Sequence, residues 1–221
     1  MTYKTVLFDL DGTLLDTNEL ILTSFVHTLS SCCPDRTFAK KEIVPHMGKP
    51  LVDMMAFFKR HYQIDTPLEE MVRIYREHNI RTHNEMVTAF PHVPEVVKTL
   101  AAAGITMGVV TTKQRNTAQM GLDLCDLAPY MGTLVSIEDV KHPKPHPEPV
   151  YKAMKDLGAA PRSTIMIGDS RYDIEAAQYA GIASAGVSWT LKGEDHLRAF
   201  SPTFMLNDMR DLLDIVGVKS N

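Results

Sequence analysis

Cysteine is scarce in this sequence of 221 residues, which contains only Cys32, Cys33 and Cys125. An odd number of cysteines, two of them adjacent, does not build an ordinary disulfide framework, and no Cys-x-x-Cys pair indicates a zinc site. We therefore predict three free thiols that behave as ordinary, partly or fully buried side chains.

Excess positive charge and long apolar runs are also missing. The 23 lysines and arginines are outnumbered by 27 aspartates and glutamates, a net charge of −4, whereas nucleic-acid-binding proteins usually carry a basic patch. No apolar stretch approaches the roughly 20 residues that cross a bilayer, and the first residues, MTYKTVLFDLDG, do not resemble a secretion signal. We therefore expect a cytoplasmic protein that binds neither nucleic acid nor membranes, while composition leaves its oligomeric state open.

What the sequence does contain is an alternation of strand and helix patterns, interrupted once. Apolar residues make up 44% of the chain, enough for a well-filled core. A strand pattern over residues 5–10 precedes a helical stretch from about 17 to 87, which has a break at Gly48–Lys49–Pro50. Beyond it, nearly all-apolar strands alternate with helices, as in a parallel sheet covered on both faces. We predict an α/β fold with a doubly wound parallel-sheet (Rossmann-like) core domain, residues 1–16 and 88–221, and an inserted helical cap domain, residues 17–87.

Polar side chains collect where the predicted strands end. In an open parallel sheet, ligands bind at the carboxyl ends of the strands. The residues concerned come from four segments of the core: Asp9 and Asp11; Thr111, Thr112 and Lys113; Lys144; and Asp169 with Asp173 one helical turn later. Each has an ordinary explanation on its own, as a turn, a strand end, a solvated loop charge or the acidic start of a helix. Their joint placement at one edge of the sheet favours a common site.

The chemistry of these groups complements a divalent cation and a phosphoryl group. Clustered carboxylates suit Mg²⁺, which prefers oxygen ligands, and such a cation would offset the repulsion between Asp9 and Asp11. A lysine, a hydroxyl and backbone N–H groups suit a phosphoryl group. One aspartate can act as a nucleophile and a second can transfer protons, while Gly12 and Gly168 would let the backbone approach a ligand closely.

Four short motifs occur in a fixed order along the chain. DLDGTLLDT is similar to the pattern hhhhDxDGT, VVTTK to an apolar run ending in Thr or Ser, KPHPEP to a loop carrying a lysine, and IGDSRYD to GDxxxD. By these motifs the chain resembles the haloacid dehalogenase-like phosphohydrolases over essentially its whole length. The resemblance implies a magnesium-dependent phosphohydrolase that works through an aspartyl-phosphate, with the helical insertion as a cap that closes over the active site.

The resemblance also implies roles for individual residues. Asp9 would be the nucleophile and Asp11 the general acid and base, while Thr111 would hold the transferring phosphoryl oxygen and Lys144 would neutralise it. The implied metal ligands are Asp9, Asp11 through its backbone carbonyl, Asp169, and Asp173, which would support either the metal site or Lys144. The implied substrate-binding residues are Gly12, Thr112 and Lys113 in the core and Gly48 and Lys49 in the cap. His46 is a further candidate, although ordinary solvation explains His46 and Lys49 equally well.

Within this superfamily, the sequence resembles a group of inorganic pyrophosphatases. The stretches NELI, VVTTKQR, KPHPEPV and AGVSWTLKG carry this likeness, and Lys113 and Arg115 would add positive charge for a small, highly anionic substrate. The resemblance therefore implies hydrolysis of pyrophosphate to phosphate. The alternatives are a phosphoglycolate phosphatase or other small-molecule phosphomonoesterase, a phosphomutase of the β-phosphoglucomutase type, and a non-catalytic phosphate-sensing protein on the same fold.

We expect Trp189 and Lys192 to shape a surface loop.

Overall fold

A six-stranded parallel sheet lies at the centre of the computed structural model, which describes residues 3–218. In chain order the strands are β1 (Thr5–Phe8), β2 (Leu15–Asp16), β3 (Thr88–Ala89), β4 (Thr106–Val110), β5 (Thr133–Val135), β6 (Thr164–Gly168), β7 (Ala183–Val187) and β8 (Phe204–Leu206). The sheet has the order β5-β4-β1-β6-β7-β8, and all its neighbouring strands are parallel. This order is that of a doubly wound sheet, which confirms the predicted fold class.

Helices cover this sheet and form the insertion. In chain order they are α1 (Asn18–Cys32), α2 (Lys40–Ile43), α3 (Leu51–His61), α4 (Leu68–Met86), α5 (Val93–Ala102), α6 (Arg115–Leu124), α7 (Glu148–Asp156), α8 (Arg171–Tyr179), α9 (Glu194–Arg198) and α10 (Asp211–Val216). Helices α1 to α4 lie between β2 and β3 along the chain, and the remaining helices alternate with the strands of the sheet. No helix within residues 3–218 combines the length and the apolarity needed to cross a membrane.

The central strand β1 shows why the sheet is covered on both faces. Val6, Leu7 and Phe8 are completely buried. Successive side chains of a strand point to opposite faces, and accordingly Val6 and Phe8 belong to one apolar cluster whereas Leu7 belongs to another. Each such burial stabilises the fold by about 1.5–3 kcal/mol, which holds the carboxyl end of β1 firmly in the middle of the molecule.

The insertion has an apolar core of its own. Phe25, Met55, Phe58 and Met71 are buried together in it, and the rings of Phe25 and Phe58 lie 5.8 Å apart between their centroids. The chain enters and leaves the insertion through β2 and β3, which pair antiparallel. Because this core shares no member with the two clusters around the sheet, we propose the predicted cap and core domains as separate units.

Two predicted strands end earlier than the sequence pattern suggests. The first ends at Phe8 because the chain turns at Leu10, whose carbonyl accepts hydrogen bonds from the amides of Leu14 and Leu15 at 3.0 and 2.9 Å. The second is the stretch TLVSIEDV, residues 133–140, one of the strand patterns beyond the insertion. It ends as a strand at Val135, because Ser136 caps the start of a 3-10 turn. All three cysteines are free and partly buried, as predicted.

Candidate active site

The two acids Asp9 and Asp169 lie side by side because two neighbouring strands share a register. Strand β1 pairs with β6 so that Phe8 lies opposite Ile167, and the Asp9 amide donates to the Ile167 carbonyl at 2.8 Å. Asp9 follows β1 and Asp169 follows β6. Strands β4 and β5 lie on one side of this pair, and β7 and β8 lie on the other. The two acids are therefore at the topological switch point, where open α/β sheets bind ligands.

Lys144 ties three elements of this edge together. Its ammonium group donates to Asp9 Oδ1 at 2.7 Å, to Asp173 Oδ1 at 2.6 Å and to the Val110 carbonyl at 2.8 Å. A lysine has three donors, so all of them are used, and only 4% of the residue is exposed. Burial of a charge is tolerated when the charge is paired and hydrogen-bonded, and this pairing fixes Lys144 beside Asp9.

The loop that carries Lys144 is held by a carboxylate at the start of α7. Glu148 accepts hydrogen bonds from the amides of Lys141 and His142 at 2.9 and 3.1 Å. The ring of His142 also lies against Glu148, with its Nδ1 at 2.8 Å from Oε2. The side chains of His142 and His146 are exposed, so these histidines belong to the outer surface of the loop.

Negative charge exceeds positive charge around Lys144. Burial raises the pKa of Asp9 to about 7, although the ammonium of Lys144 opposes this shift. Burial, followed by the charges of Asp9 and Asp173, raises the pKa of Asp169 well above its ordinary value. Burial alone would lower the pKa of Lys144, but Asp173 and Asp9 outweigh it and raise the pKa above the usual range. A second positive charge would therefore stabilise the ionised acids.

The donor set at this point fits a hard divalent cation. Asp9, Asp169 and Asp173 each offer a carboxylate oxygen, and the three oxygens lie within 4.8 Å of one another. Carboxylate oxygens are the ligands that Mg²⁺ prefers. Asp173 uses both its oxygens inside the protein, since Oδ1 accepts from Lys144 and Oδ2 accepts from the Ser170 hydroxyl at 2.6 Å and its amide at 3.0 Å. Asp173 is thus placed to support Lys144, while Asp9 and Asp169 face the cavity.

Gly12 lies directly under the carboxylate of Asp169. A Cβ atom at this position would lie 2.5 Å from Asp169 Oδ2, and the backbone has a φ of +82°. Both observations require glycine. The turn after β1 therefore packs its backbone against the acid that follows β6.

Asp11 and Thr111 are linked through Lys113. The ammonium of Lys113 lies 2.7 Å from Asp11 Oδ1, and the Lys113 amide donates to the Thr111 hydroxyl at 3.1 Å. These contacts join the turn after β1 to the turn after β4, although the residues are 102 positions apart in the chain. The Asp11 carboxylate thereby has a defined orientation at the cavity.

The cavity lies between the sheet edge and the insertion. Its volume is about 110 Å³, whereas a cavity needs only about 10–15 Å³ to hold one water. There is therefore room for a small ligand. The lining residues from the core are Asp9, Asp11, Thr111, Thr112, Lys113, Lys144, Asp169 and Ser170, and those from the insertion are Ile21, Phe25, Met47, Gly48, Lys49, Leu51, Met54, Tyr75 and Asn79.

Most of the residues singled out in the sequence line this cavity, and the others lie elsewhere for clear reasons. Gly12 lies beneath Asp169, and Asp173 lies behind Lys144. His46 packs its ring on Phe57, with centroids 4.0 Å apart, and does not line the cavity. It packs the segment before Gly48 and Lys49 against α3.

Sequence reasoning missed the contribution of α4. Tyr75 and Asn79 line the cavity, and both are buried. They continue a stripe at i, i+4 spacing that runs from Met71 to His83 on the buried face of α4. Polar residues such as Asn79 on the buried face of a helix are the signal that could have identified them.

Comparisons with known proteins agree on one family. The family model described as haloacid dehalogenase-like hydrolase matches residues 6–187. Pyrophosphatase PpaX of Oceanobacillus iheyensis is 44% identical over 218 residues, which are 98% of either chain. A solved haloacid dehalogenase-like hydrolase from Bacteroides fragilis superposes with a TM-score of 0.86 at 26% identity, over 95% of this chain and 99% of the other. A predicted phosphoglycolate phosphatase from Haemophilus somnus has a TM-score of 0.85 at 22% identity, over 97% and 98%, and shows the same fold.

Proposed function

This chain belongs to the haloacid dehalogenase-like hydrolases, and from that membership we propose that it hydrolyses inorganic pyrophosphate to two phosphates. The proposal is carried by the positive charge around a small cavity: Lys144 lies beside Asp9, Lys113 beside Asp11, and Lys49 on the cap side. Pyrophosphate places negative charge on both sides of the bond that breaks, so cations on both sides suit it. The 44% identity to a pyrophosphatase points the same way. The cytoplasmic location expected from the sequence remains part of this proposal.

In the first step, Asp9 attacks one phosphorus atom of the substrate. Lys144 donates to Oδ1 of Asp9, and among residues 3–218 no hydrogen bond reaches Oδ2, which therefore serves as the nucleophilic atom. A bond forms between Oδ2 and phosphorus while the bond from phosphorus to the bridging oxygen breaks. Asp11 donates its proton to the departing phosphate, and Thr111 holds an oxygen of the transferring group. Lys144, whose donors stay on the protein, stabilises the negative charge of that group from beside Asp9.

In the second step, water replaces the carboxylate. Asp11 is then ionised and takes a proton from the attacking water, while the bond between phosphorus and Asp9 breaks and restores the carboxylate. The contact of 2.7 Å with Lys113 keeps Asp11 oriented for both proton transfers. The same carboxyl group thus serves as the acid and then as the base.

Asp9 and Asp169, with the backbone carbonyl of Asp11, are the residues that would hold Mg²⁺. When bound, this cation neutralises negative charge on the phosphoryl oxygens and orients them. Asp173 contributes indirectly, since it fixes Lys144 and its own oxygens are already engaged. The cap supplies apolar side chains such as Phe25 and Met54 to the cavity, which exclude bulk water while the phosphoryl group is on Asp9.

A panel of substrates tests the proposal. Phosphate release is measured with magnesium for pyrophosphate, phosphoglycolate and a hexose phosphate, and the kcat/KM values are compared. We expect pyrophosphate to exceed each ester by at least about tenfold, a difference of about 1.4 kcal/mol in transition-state binding. The variant Asp9→Asn, of nearly the same shape, serves as the control and should release no phosphate. A tenfold preference for phosphoglycolate would overturn the choice of substrate, and turnover by Asp9→Asn would overturn the mechanism.

A further inference from the structure

Lys192 connects the core to a loop of the cap. It lies between β7 and α9, in a turn closed by a hydrogen bond of 3.2 Å from the Gly193 amide to the Thr190 carbonyl. Its ammonium group donates to the Met47 carbonyl at 2.6 Å. Met47 begins a stretch of three residues, Met47–Gly48–Lys49, that we call the cap loop, and all three residues line the cavity. Lys192 is thus more than part of a surface loop, contrary to the expectation from the sequence.

The cap loop rests on the core at the same place. A Cβ atom on Gly48 would lie 3.0 Å from Ser170 Cβ and 3.1 Å from Tyr172 Cδ2, which is close contact. Ser170, the N-cap residue of α8, directly follows Asp169, and Tyr172 lies in the first turn of that helix. The ammonium of Lys192 also lies 5.9 Å from the centroid of the Tyr172 ring. The loop therefore reaches the core beside the metal-binding acid.

Lys192 is set apart from the cavity itself. It is not among the residues that line the cavity, whereas its neighbour across the interface, Lys49, is. The ammonium group of Lys192 is half-buried, and its hydrogen bond to the Met47 carbonyl is charge-assisted. Such a bond is stronger than a hydrogen bond between two uncharged groups. The effect of Lys192 on contact with the substrate passes through the loop that it holds, while its charge also opposes the rise in the pKa of Asp169.

We propose that Lys192 is a positioning residue that holds the cap loop against α8, so that Lys49 stays at the cavity during turnover. The proposal rests on the proposed function, since it assigns Lys49 to the binding of the substrate's negative charge. On the cap side, His46, the residue before the loop, packs its ring against Phe57 of α3. The start of the loop is therefore held twice, against α3 by His46 and against the core by the hydrogen bond from Lys192 to Met47.

A double-mutant cycle separates positioning from direct binding. Lys192→Met keeps the apolar stem and removes the donor, and we expect kcat/KM to fall roughly tenfold or more, the effect of losing a charged hydrogen bond. Lys192→Arg retains a donor and should recover most of this loss. In a Lys49→Met background, the change at Lys192 should cost less than about threefold, because both changes act through one loop. Losses that multiply fully would overturn the proposal, since Lys192 would then act independently of Lys49.

A second readout needs no substrate and so stands apart from the proposed function. Hydrogen exchange is measured on the peptide spanning residues 44–54, in which the amides of Met47 and Asp53 are hydrogen-bonded to Val44 and Pro50. We expect this peptide to exchange several-fold faster in Lys192→Met than in the wild type, with Lys192→Gln intermediate. Lys155→Met, a change at an exposed lysine of α7, is the control and should leave exchange unchanged. Equal exchange in Lys192→Met and the wild type would overturn the proposal even if pyrophosphate is not the substrate.

Discussion

The two sides of the cavity are built in different ways. On the core side, Lys144 is buried and uses its three donors on three elements of the sheet edge. On the cap side, Lys49 lines the cavity from a loop that touches the core through a contact at Gly48 and the hydrogen bond from Lys192 to Met47. Strand register therefore positions the acids on the core side, and hydrogen bonds hold Lys144 beside them. On the cap side, the position of Lys49 depends on how the cap packs against the core.

The largest effect should come from Lys144→Met. This change leaves Asp9 and Asp173 buried without their partner, and breaking such a buried pair typically costs about 3–5 kcal/mol of stability. Loss of the charge beside the transferring group should lower kcat by about 10²–10³-fold. Denaturant unfolding and phosphate release measure the two effects. Lys155→Met is the matched control. If Lys144→Met were as stable as this control, the claim that buried pairing with Lys144 holds the core side together would be refuted.

The next largest effect should come from Gly12→Ala. The added methyl group would collide with Asp169 Oδ2, and displacement by about 1 Å of an acid that we propose as a magnesium ligand can cost about 10²-fold in rate. The magnesium concentration for half-maximal activity should rise as well. Gly104→Ala is the control, because Gly104 has a similar φ of +75° but nothing within 4 Å of an added Cβ. If both variants lost activity equally, backbone strain rather than the Asp169 contact would be the cause.

A smaller effect links pH, magnesium and stability. In the folded protein, burial raises the pKa of Asp9 to about 7. In the unfolded chain, where the carboxyl group is exposed to water, we take its ordinary pKa of 3.8. Between these values the unfolded chain has released the proton and the folded chain keeps it, so without magnesium stability falls as pH rises. Magnesium favours the ionised acid, and its gain in Tm should therefore be larger at about pH 8 than at about pH 5. Asp9→Asn should weaken this pH dependence, and a magnesium effect that is independent of pH would contradict the assignment.

The smallest effect should come from Lys49→Met on the cap side. Loss of one partly solvated cation at the cavity should raise KM for pyrophosphate by roughly tenfold and change kcat less, because the contact is made in the ground state and the transition state alike. Steady-state kinetics measure both constants. A fall in kcat as large as that of Lys144→Met would remove the distinction between the two sides.

The core side of the cavity could be predicted from the sequence, whereas the contacts of the cap side could not. Asp9, Asp11 and Asp169 could be located because each belongs to a short motif at a strand end, and parallel strands bring such ends together. Lys144 could be located from its motif alone, since it lies in the long loop between β5 and α7. The pairing of Lys192 with Met47 could not, because it joins residues 145 positions apart through the docking of the cap. No periodicity within either segment encodes that contact.

Strand ends were harder to predict than strands for a local reason. The pattern around Ser136 continues to look like a strand, yet its hydroxyl accepts from the Glu138 amide at 3.3 Å and starts a turn. Competition between side-chain capping and the sheet ladder decides such ends. The Thr111 amide donates a hydrogen bond to the Val135 carbonyl at 2.9 Å. The end of β5 therefore lies close to the site.

The central claim is that Asp9 at the end of β1 receives the phosphoryl group. Mass spectrometry of acid-quenched Asp11→Asn protein after mixing with pyrophosphate and magnesium tests it most directly. The variant lacks both the acid of the first step and the base of the second, but phosphate is a good leaving group and needs the acid less than water needs the base, so the phosphorylated form should accumulate. The account predicts one phosphoryl group on the peptide that contains Asp9, absent from Asp9→Asn. Consumption of pyrophosphate without a phosphoryl group on that peptide, or with one on another residue, would contradict it.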